Sequence, residues 1–257
     1  MTNQPSNFIW YELLTSDIDA AAAFYGSVVG WTSQRGTTPG MDYRMWMAKD
    51  VPVGGLMAIA PDAKNKGMRP MWAGYLNVSD VDATVAKIKA EGGAVYMPAT
   101  DIPDVGRIAM VSDPQGASFY VMAPTGTGPS RAYSSGTPGH GGWHELRTKD
   151  WQAALDFYGR HFGWTKSDAL DMGPMGTYLL FNTGGEAIGG MMNDPSPARP
   201  HWLYYFNVDD IQAAKSRVES AGGTVLRGPH EVPGGGWIIQ GKDPQGALFA
   251  LFSAAKT

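Results

Sequence analysis

Apolar residues recur along this chain at two spacings, one typical of amphipathic helices and the other of short strands. One apolar stripe in the second half follows helical spacing and contains Trp151, Ala154, Leu155, Tyr158 and Phe162. Such a stripe predicts a helix that packs on a core. Asp150 precedes this stripe as a candidate N-cap, and Asp17 or Ser16 precedes an earlier helix in the same way. Gly30 and Gly163 are placed to end the two helices.

Short apolar and aromatic segments predict the strands. In the first half these segments span residues 8–14, 43–48, 53–60, 71–78, 94–97, 106–111 and 117–122. A further helix is predicted over residues 80–91, with Val81, Val85 and Ile88 inward and two glycines after it. Because the order of a strand, a helix and further strands occurs twice in each half, the sequence predicts four β-α-β-β-β modules. The expected fold class is α+β, with modules pairing into two half-open barrels in tandem.

The chain also repeats itself. Residues 15–31 return as 148–164, residues 77–95 return as 207–225, and the segment DPQGA occurs at both 113–117 and 243–247. Similarity of this kind indicates that one domain was duplicated and fused. We therefore expect a first domain over 7–124 and a second over 141–254. Residues 125–140, rich in Gly, Pro, Ser and Thr, are predicted to form the linker.

Composition narrows the function classes. A length of 257 residues, 43% of them apolar and 17% charged, fits two globular domains. The net charge of −4 offers no basic surface for nucleic acid or anionic lipid. The absence of cysteine excludes disulfides, thiolate nucleophiles and cysteine metal sites. No apolar stretch approaches the about 20 residues of a membrane span, and no signal peptide is apparent. We expect a soluble, cytoplasmic protein that is a monomer with an internal pseudo-dimer, or a homodimer.

Several motifs together resemble one known family. They are W-x-E-L on the first strand, T-x-D after it, F-Y-G-x-x-x-G-W on the first helix, and GRIAMVSDPQGA near the end of the first half. This pattern resembles the vicinal-oxygen-chelate superfamily of glyoxalases, bleomycin resistance proteins and extradiol dioxygenases. It is most similar to a tandem glyoxalase-like branch often labelled "putative hydroxylase". The resemblance covers nearly the whole chain and implies paired modules around a cleft, with metal-dependent enzymes and metal-free drug-sequestering proteins as the activities of the family.

The resemblance implies a metal site only if the ligands are present. Enzymatic members hold a divalent metal with His, Gln and Glu at inward strand positions. These positions map onto Trp10, Gly55, Ala73 and Tyr120 in the first repeat and onto Trp143, Gly190, Leu203 and Ala250 in the second. None of the eight offers an imidazole or a carboxylate. A shift of one residue recovers only His144, which alternation turns to the opposite face, exposed or packed on a helix. We predict no metal and no other cofactor.

Aromatic rings stand where ligands are expected. Candidate lining residues are Trp10, Trp46, Trp72 and Tyr120 for the first cleft and Trp143, Tyr178, Trp202 and Trp237 for the second. Such rings suit a flat or hydrophobic ligand, although each ring alone could equally be core. Arg107 aligns with Trp237 and Arg44 roughly with Tyr178, so the first cleft could hold an anionic or carbonyl group. His201 could lie at a cleft mouth or simply on the surface.

Glu12 and Glu145 recur two residues after the first-strand tryptophan of each repeat. Strand alternation puts each carboxylate on the same face as that tryptophan, pointing into the cleft. Each could act as a general base or bind an amine or hydroxyl of a ligand. Each could equally be structural, bonded to backbone amides or to an arginine such as Arg147.

Four functions follow from these residues. The first is metal-free binding or sequestration of a small aromatic or hydrophobic molecule. The second is a metal-independent lyase, isomerase or hydrolase that uses Glu12 or Glu145 as acid and base. The third is a glyoxalase-like or dioxygenase-like metalloenzyme with non-standard ligands. The fourth is a structural protein whose clefts are filled by its own side chains.

Overall fold

A computed structural model describes residues 6–36, 42–194 and 199–254. The first half contains β1 (Phe8–Thr15), α1 (Ile18–Val29), β2 (Thr32–Arg35), β3 (Tyr43–Ala48), β4 (Val51–Ala58), α2 (Pro61–Asn65), β5 (Met71–Asn77), α3 (Val81–Ala90), β6 (Val95–Ile102), β7 (Gly106–Ser112) and β8 (Ser118–Pro124). The second half contains β9 (Gly141–Thr148), α4 (Trp151–Phe162), β10 (Thr165–Asp171), a short 3₁₀ turn (Gly173–Met175), β11 (Thr177–Asn182), β12 (Ala187–Asn193), β13 (His201–Asn207), α5 (Ile211–Ser220), β14 (Thr224–Glu231), β15 (Trp237–Lys242) and β16 (Leu248–Ser253).

The strands form two mixed sheets of eight strands each. The first has the order β2-β3-β4-β1-β5-β8-β7-β6, and the second has the equivalent order β10-β11-β12-β9-β13-β16-β15-β14. In each module the first strand pairs in parallel with the last, as β1 does with β4 and β9 with β12. The remaining neighbours within a module are antiparallel. Neither sheet closes on itself, so the predicted α+β class with half-open sheets is confirmed.

The helices α1 and α4 begin and end where the sequence predicts, whereas the short helix α2 was not predicted. Asp17 accepts a hydrogen bond from the Ala20 amide at 3.0 Å and caps α1, and Asp150 caps α4 through the amides of Gln152 and Ala153. These bonds satisfy amide donors that have no partner inside the helix. Gly30 ends α1 with a φ of 86°, a left-handed conformation that glycine adopts without strain.

Contacts between Cα atoms divide the chain into two compact units. The first unit contains the described residues within 1–9, 74–129 and 143–203, and the second contains those within 10–73, 130–142 and 204–257. Each unit thus combines a module of the first repeat with a module of the second. No described helix is long and apolar enough to cross a membrane.

The second part of the predicted linker is a packed part of the second unit. Asn207 Nδ2 donates to the carbonyl oxygens of Ser134 and Thr137, at 2.9 and 3.0 Å. The Trp31 indole donates to the Gly139 carbonyl at 2.7 Å. These bonds hold this part of the linker within the second unit, because they give its backbone carbonyls hydrogen-bond partners.

Each unit has an aromatic core on the face of its strands that contacts the helices. In the second unit the core contains Tyr25, Trp31, Trp46, Trp72, Phe206 and Phe249. In the first unit it contains Phe8, Phe119, Tyr158, Trp164, Phe181 and Trp202. Many of these rings meet edge to face, as Trp31 and Phe206 do at a centroid distance of 4.8 Å. Rings of this size bury large apolar areas, which stabilises a core built from short modules.

Candidate functional site

Two equivalent clusters of an indole, a phenol and a carboxylate lie on the face opposite to these cores. In the second unit, Trp10 Nε1 donates to Tyr43 Oη at 3.0 Å, and Tyr43 Oη donates to Glu12 Oε2 at 3.2 Å. We call these three residues the Trp10 cluster. In the first unit, Trp143 Nε1 donates to Tyr178 Oη at 2.8 Å, and Tyr178 Oη donates to Glu145 Oε2 at 3.3 Å. These form the Trp143 cluster.

Local geometry explains how each cluster forms. Trp10 and Glu12 are two residues apart on β1, so their side chains share a face. Tyr43 lies on β3, separated from β1 by β4, and its ring crosses β4 above Gly55. A methyl group at Gly55 would collide with the Tyr43 hydroxyl and with Glu12, and one at Gly190 would collide with the Tyr178 ring. Glycine is therefore needed at both positions for the phenol to reach the carboxylate.

The carboxylates are buried deeper than the rings. Glu12 is 1% exposed and Glu145 is 5% exposed, whereas Trp10, Tyr43, Trp143 and Tyr178 are half-buried. Burial, with the nearby Glu145 charge, raises the pKa of the Tyr178 phenol well above its usual value. The phenol therefore stays protonated at neutral pH and donates its hydrogen bond to Glu145.

Arg147 makes the Trp143 cluster different from its counterpart. Arg147 Nε lies 2.8 Å from Glu145 Oε1, and Arg147 Nη1 lies 3.9 Å from Asp194 Oδ2. This arrangement matches the structural role considered for Glu145 in the sequence. The equivalent residues of the first repeat are Leu14 and Ile59, both buried and apolar.

The positions expected to hold a metal do not fit one. Trp10 and Trp143 use their indole nitrogens as donors to tyrosine, and the space above Gly55 and Gly190 is filled by phenol rings. Divalent metals in proteins take imidazole, thiolate or carboxylate ligands. Among the described residues, no group of three or more His, Cys, Asp or Glu side chains is placed to hold a metal ion.

Three tryptophans predicted to line the clefts lie elsewhere. Trp46 is wholly buried among Tyr25 and Trp31. The indole of Trp72 donates to Tyr25 Oη at 2.8 Å and that of Trp202 donates to Tyr158 Oη at 3.0 Å. All three rings face the helices α1 or α4, so the prediction that they face a ligand is wrong.

The two arginines considered for anion binding are held by carboxylates. Arg107 Nε lies 2.6 Å from Asp82 on α3, and its Nη1 lies 2.9 Å from Asp101. Arg44 lies 2.6 Å from Asp19 on α1. The residue equivalent to Tyr178 is therefore Tyr43, which makes the same bonds, and the rough alignment of Arg44 with Tyr178 is wrong.

The other predicted residues divide between the faces. Tyr120 stacks on Tyr75 at a centroid distance of 4.3 Å, and both rings are buried. Trp237 is half-buried and lies three residues before Gln240, which pairs with Ala250 on the neighbouring strand. Because side chains alternate along a strand, Trp237 points to the face opposite to that of Gln240 and Ala250. His201 is half-buried, with Nδ1 3.0 Å from the Arg199 carbonyl oxygen. A ligand role for Tyr120 and His201 stays a prediction.

His144 is buried, so the alternative of an exposed side chain is wrong. It is 1% exposed and stacks on Phe8 at 4.1 Å. Its Nδ1 lies 2.7 Å from the carbonyl oxygen of Ile188, so this nitrogen carries the proton. Burial lowers the pKa of His144 to about 3.

Two equivalent hydrogen-bond chains in the cores were not predicted from the sequence. Tyr25 Oη donates to Asp243 Oδ2 at 3.1 Å, and Tyr158 Oη donates to Asp113 Oδ2 at 3.2 Å. The second oxygen of Asp113 accepts from the amides of residues 115, 116 and 117. The repeated FYG and DPQGA motifs therefore stabilise the core. Both motifs recur in each half of the sequence, and this joint recurrence could have indicated that they contact each other.

Comparison with known proteins agrees with this fold. The family model of the Glyoxalase/Bleomycin resistance protein/Dioxygenase superfamily matches residues 7–121 and 141–251, and the chain belongs to this superfamily.

Two curated relatives match almost end to end. "Putative glyoxylase CFP32" of Mycobacterium bovis is 36% identical over 250 residues, covering 96% of this chain and 94% of that protein. "Anthracycline biosynthesis protein DnrV" of Streptomyces peucetius is 30% identical over 255 residues, covering 94% and 91%.

Solved structures support the fold alone. The Mn(II)-bound glyoxalase from Novosphingobium aromaticivorans is 20% identical with a TM-score of 0.65, covering 98% of this chain and 82% of that one. Homoprotocatechuate 2,3-dioxygenase from Arthrobacter globiformis is 14% identical with a TM-score of 0.67, covering 98% and 80%.

Proposed function

We propose that the protein binds a small aromatic or hydrophobic molecule without the help of a metal, at the Trp10 cluster, the Trp143 cluster or both. The observation that carries this proposal is the phenol that lies over Gly55 and Gly190, bonded to an indole and a carboxylate. Half-buried indole and phenol rings offer flat apolar contact with a polar edge, which suits a flat ligand.

The relatives support the same ligand class. The superfamily includes bleomycin resistance proteins besides glyoxalases and dioxygenases. The name of the Streptomyces peucetius relative refers to anthracycline biosynthesis, and a flat aromatic compound of that kind would suit indole and phenol walls. Fold alone does not decide function, so the proposal depends on the residues of the two clusters.

Quenching of tryptophan fluorescence by 1-naphthol, combined with elemental analysis of the purified protein, tests the proposal. We expect saturable binding that Trp10→Leu or Trp143→Leu weakens, and that dialysis against EDTA leaves unchanged. Tyr96→Leu is the control, because Tyr96 is 55% exposed and outside both clusters. Binding that is lost with EDTA and restored by zinc or manganese would support a metalloenzyme with non-standard ligands and overturn the proposal.

A second candidate function is metal-independent acid–base catalysis on a bound small molecule. It is favoured by the phenol that stands between the half-buried indole and the buried carboxylate, since such a phenol could relay a proton from a bound molecule to Glu12 or Glu145 as it receives another. Glu12→Gln and Glu145→Gln distinguish the two functions. Loss of turnover with binding retained supports catalysis, whereas binding without turnover in the parent protein supports sequestration.

A further inference from the structure

One face of the strands β14 and β15, in the second unit, carries a group of basic side chains. Strand pairing places Arg227 opposite Gln240 and His230 opposite Ile238, so these four side chains point to the same face. Lys242 lies two residues after Gln240 on β15 and therefore shares that face. We call Arg227, His230 and Lys242 the basic strip.

The basic strip is accessible from solvent. All three of its side chains are exposed, whereas Ile239, which points to the other face of β15, is wholly buried. Between Arg227 and Lys242 lies Gln240, which is 8% exposed and whose Nε2 donates to Tyr205 Oη at 2.6 Å. The two exposed cations thus flank a polar side chain that the protein holds in place.

The first repeat has no charge at the equivalent positions. The residues that lie 130 positions before the three members of the strip are Met97, Thr100 and Ser112. Met110 takes the place of Gln240, and the strand pairing is the same, since Met97 lies opposite Met110 and Thr100 opposite Ile108. The two repeats therefore share this backbone register and differ in side chains that can bind an anion.

No carboxylate neutralises the basic strip within the described part of the chain. Arg44 and Arg107 are each held by two aspartates, whereas Arg227 and Lys242 form no ion pair with a described residue. None of the residues that β14, β15 and β16 place on this face is acidic, because Glu231 pairs with Trp237 on the opposite face. The chain as a whole has a net charge of −4, so an anion would be attracted here by local cations and not by the overall field.

The spacing of the two long cations suits one doubly charged oxyanion. Diagonal neighbours on adjacent strands lie about 7–8 Å apart, which long side chains can bridge, so Arg227 and Lys242 can contact the same group. The arginine offers a planar fork that matches phosphate oxygens, and the lysine adds a compact point charge. A phosphate monoester carries about two negative charges at neutral pH, which these two cations balance.

We infer that the basic strip binds the phosphate group of a small molecule through Arg227 and Lys242, with His230 beside them as a further donor. The strip contains no residue of the Trp10 cluster or the Trp143 cluster. This inference is therefore independent of the proposed function.

NMR titration of the backbone amides with inorganic phosphate at pH 7.5 and constant ionic strength tests the inference. Arg227→Met and Lys242→Ser introduce the residues of the first repeat, and each is expected to weaken phosphate binding by about tenfold or more, as for the loss of a hydrogen bond to a charged group. Arg69→Met is the matched control, because it removes an exposed arginine outside the strip and should leave the affinity unchanged. Acetate, which carries one charge, is expected to bind more weakly than phosphate.

The possible outcomes separate this inference from the proposed function. Absence of saturable phosphate binding to the parent protein, or equal weakening by Arg69→Met, overturns the inference, since equal weakening would reflect total charge alone. Acetate that binds as tightly as phosphate overturns the assignment to a doubly charged group. Trp10→Leu and Trp143→Leu should leave phosphate binding unchanged, and Arg227→Met should leave naphthol binding unchanged, so either idea can fail while the other stands.

Discussion

The interior of the first unit fixes the charge state of His144. The His144 ring is stacked on Phe8, and its Nδ1–H donates a hydrogen bond to the Ile188 carbonyl. A second proton would place a positive charge in an apolar environment, which is why the pKa falls to about 3 from the ordinary 6.5. Position 144 is therefore a neutral hydrogen-bond donor throughout the physiological range.

Stability should consequently fall as the protein is acidified. The unfolded chain takes up a proton on His144 near pH 6.5 and the folded chain does so only near pH 3, so this stabilisation is complete above pH 6.5 and is lost between these values. The full effect is roughly 3–5 kcal/mol. Urea unfolding between pH 7.5 and pH 4 measures it, and His144→Gln, which keeps a donor but cannot titrate, should show a shallower slope. Equal slopes would mean that His144 is not held neutral.

Trp46 and Trp31 provide a matched pair of buried indoles. No described residue accepts a hydrogen bond from Trp46 Nε1, whereas Trp31 Nε1 donates to the Gly139 carbonyl. Phe181 occupies the position of Trp46 in the other repeat and stacks on Trp164 at 4.5 Å. Replacement of Trp46 by phenylalanine removes a buried N–H donor that makes no hydrogen bond with a described residue in the folded state.

We therefore expect Trp31→Phe to destabilise the protein by about 1–3 kcal/mol more than Trp46→Phe, since the former leaves a buried carbonyl without its partner. The two substitutions remove the same atoms from the same core, so their difference reports the hydrogen bond. The free energy of unfolding from urea titration measures it. Equal losses of unfolding free energy in the two variants would show that the Trp31 hydrogen bond does not stabilise the fold.

At the scale of elements, the FYG helices and the DPQGA turns are joined by Tyr25 and Tyr158. Each tyrosine accepts from a tryptophan indole and donates to an aspartate, as in the chain from Trp72 through Tyr25 to Asp243. Burial raises the pKa of Asp243, while backbone amides and the Tyr25 bond oppose that rise. The tyrosine hydroxyl thus helps to keep a buried carboxylate ionised.

Removal of that hydroxyl should destabilise the fold in a pH-dependent way. Tyr25→Phe leaves a buried indole without an acceptor and a carboxylate without a donor, at a cost of about 2–4 kcal/mol at pH 7. Without the hydroxyl the pKa of Asp243 rises further, so the penalty should shrink as the pH falls and the carboxyl takes up a proton. Tyr96→Phe, at an exposed position, is the control. A penalty that is independent of pH would contradict the role given to Asp243.

The period of a strand explains which site residues could be predicted. Trp10 and Glu12 share a face and were correctly grouped, whereas Trp72 and Trp202 directly neighbour the family positions Ala73 and Leu203 and must point the other way. Tyr43 was missed because its ring reaches over a neighbouring strand, a contact that no local pattern encodes. The sequence therefore predicts which side chains of a single strand share a face, but not which side chains of other strands reach across the sheet to contact them.

The same limit applies to whole elements. Helix caps are local: Asp150 was predicted from the sequence, and Asp17 was one of two candidates for the first helix. The strands β2 and β10 were missed, because they lie at sheet edges and their mostly exposed, polar residues show no apolar alternation. The four modules could be predicted from repetition, since each carries its own periodic signal.

At the scale of the molecule, the two compact units draw on both repeats. Which modules share a unit depends on contacts between residues far apart in the chain, as between Tyr25 and Asp243 or between Tyr158 and Asp113. Both repeats carry the same motifs, so a tyrosine could equally have met the aspartate of its own half. Repetition in the sequence therefore could not decide the pairing.

Division of the chain between Pro129 and Ser130 separates each tyrosine from its aspartate and removes one module from each unit. A fragment of residues 1–129 or 130–257 would expose the aromatic core that its missing partner covers, and a domain that loses half of its core does not retain a stable fold. We expect each fragment alone to lack a cooperative unfolding transition, and the mixture to regain one. Intact protein cleaved at this point after folding is the control and should keep its transition. Cooperative unfolding of either fragment alone would show that each repeat is an independent folding unit and would contradict the shared cores.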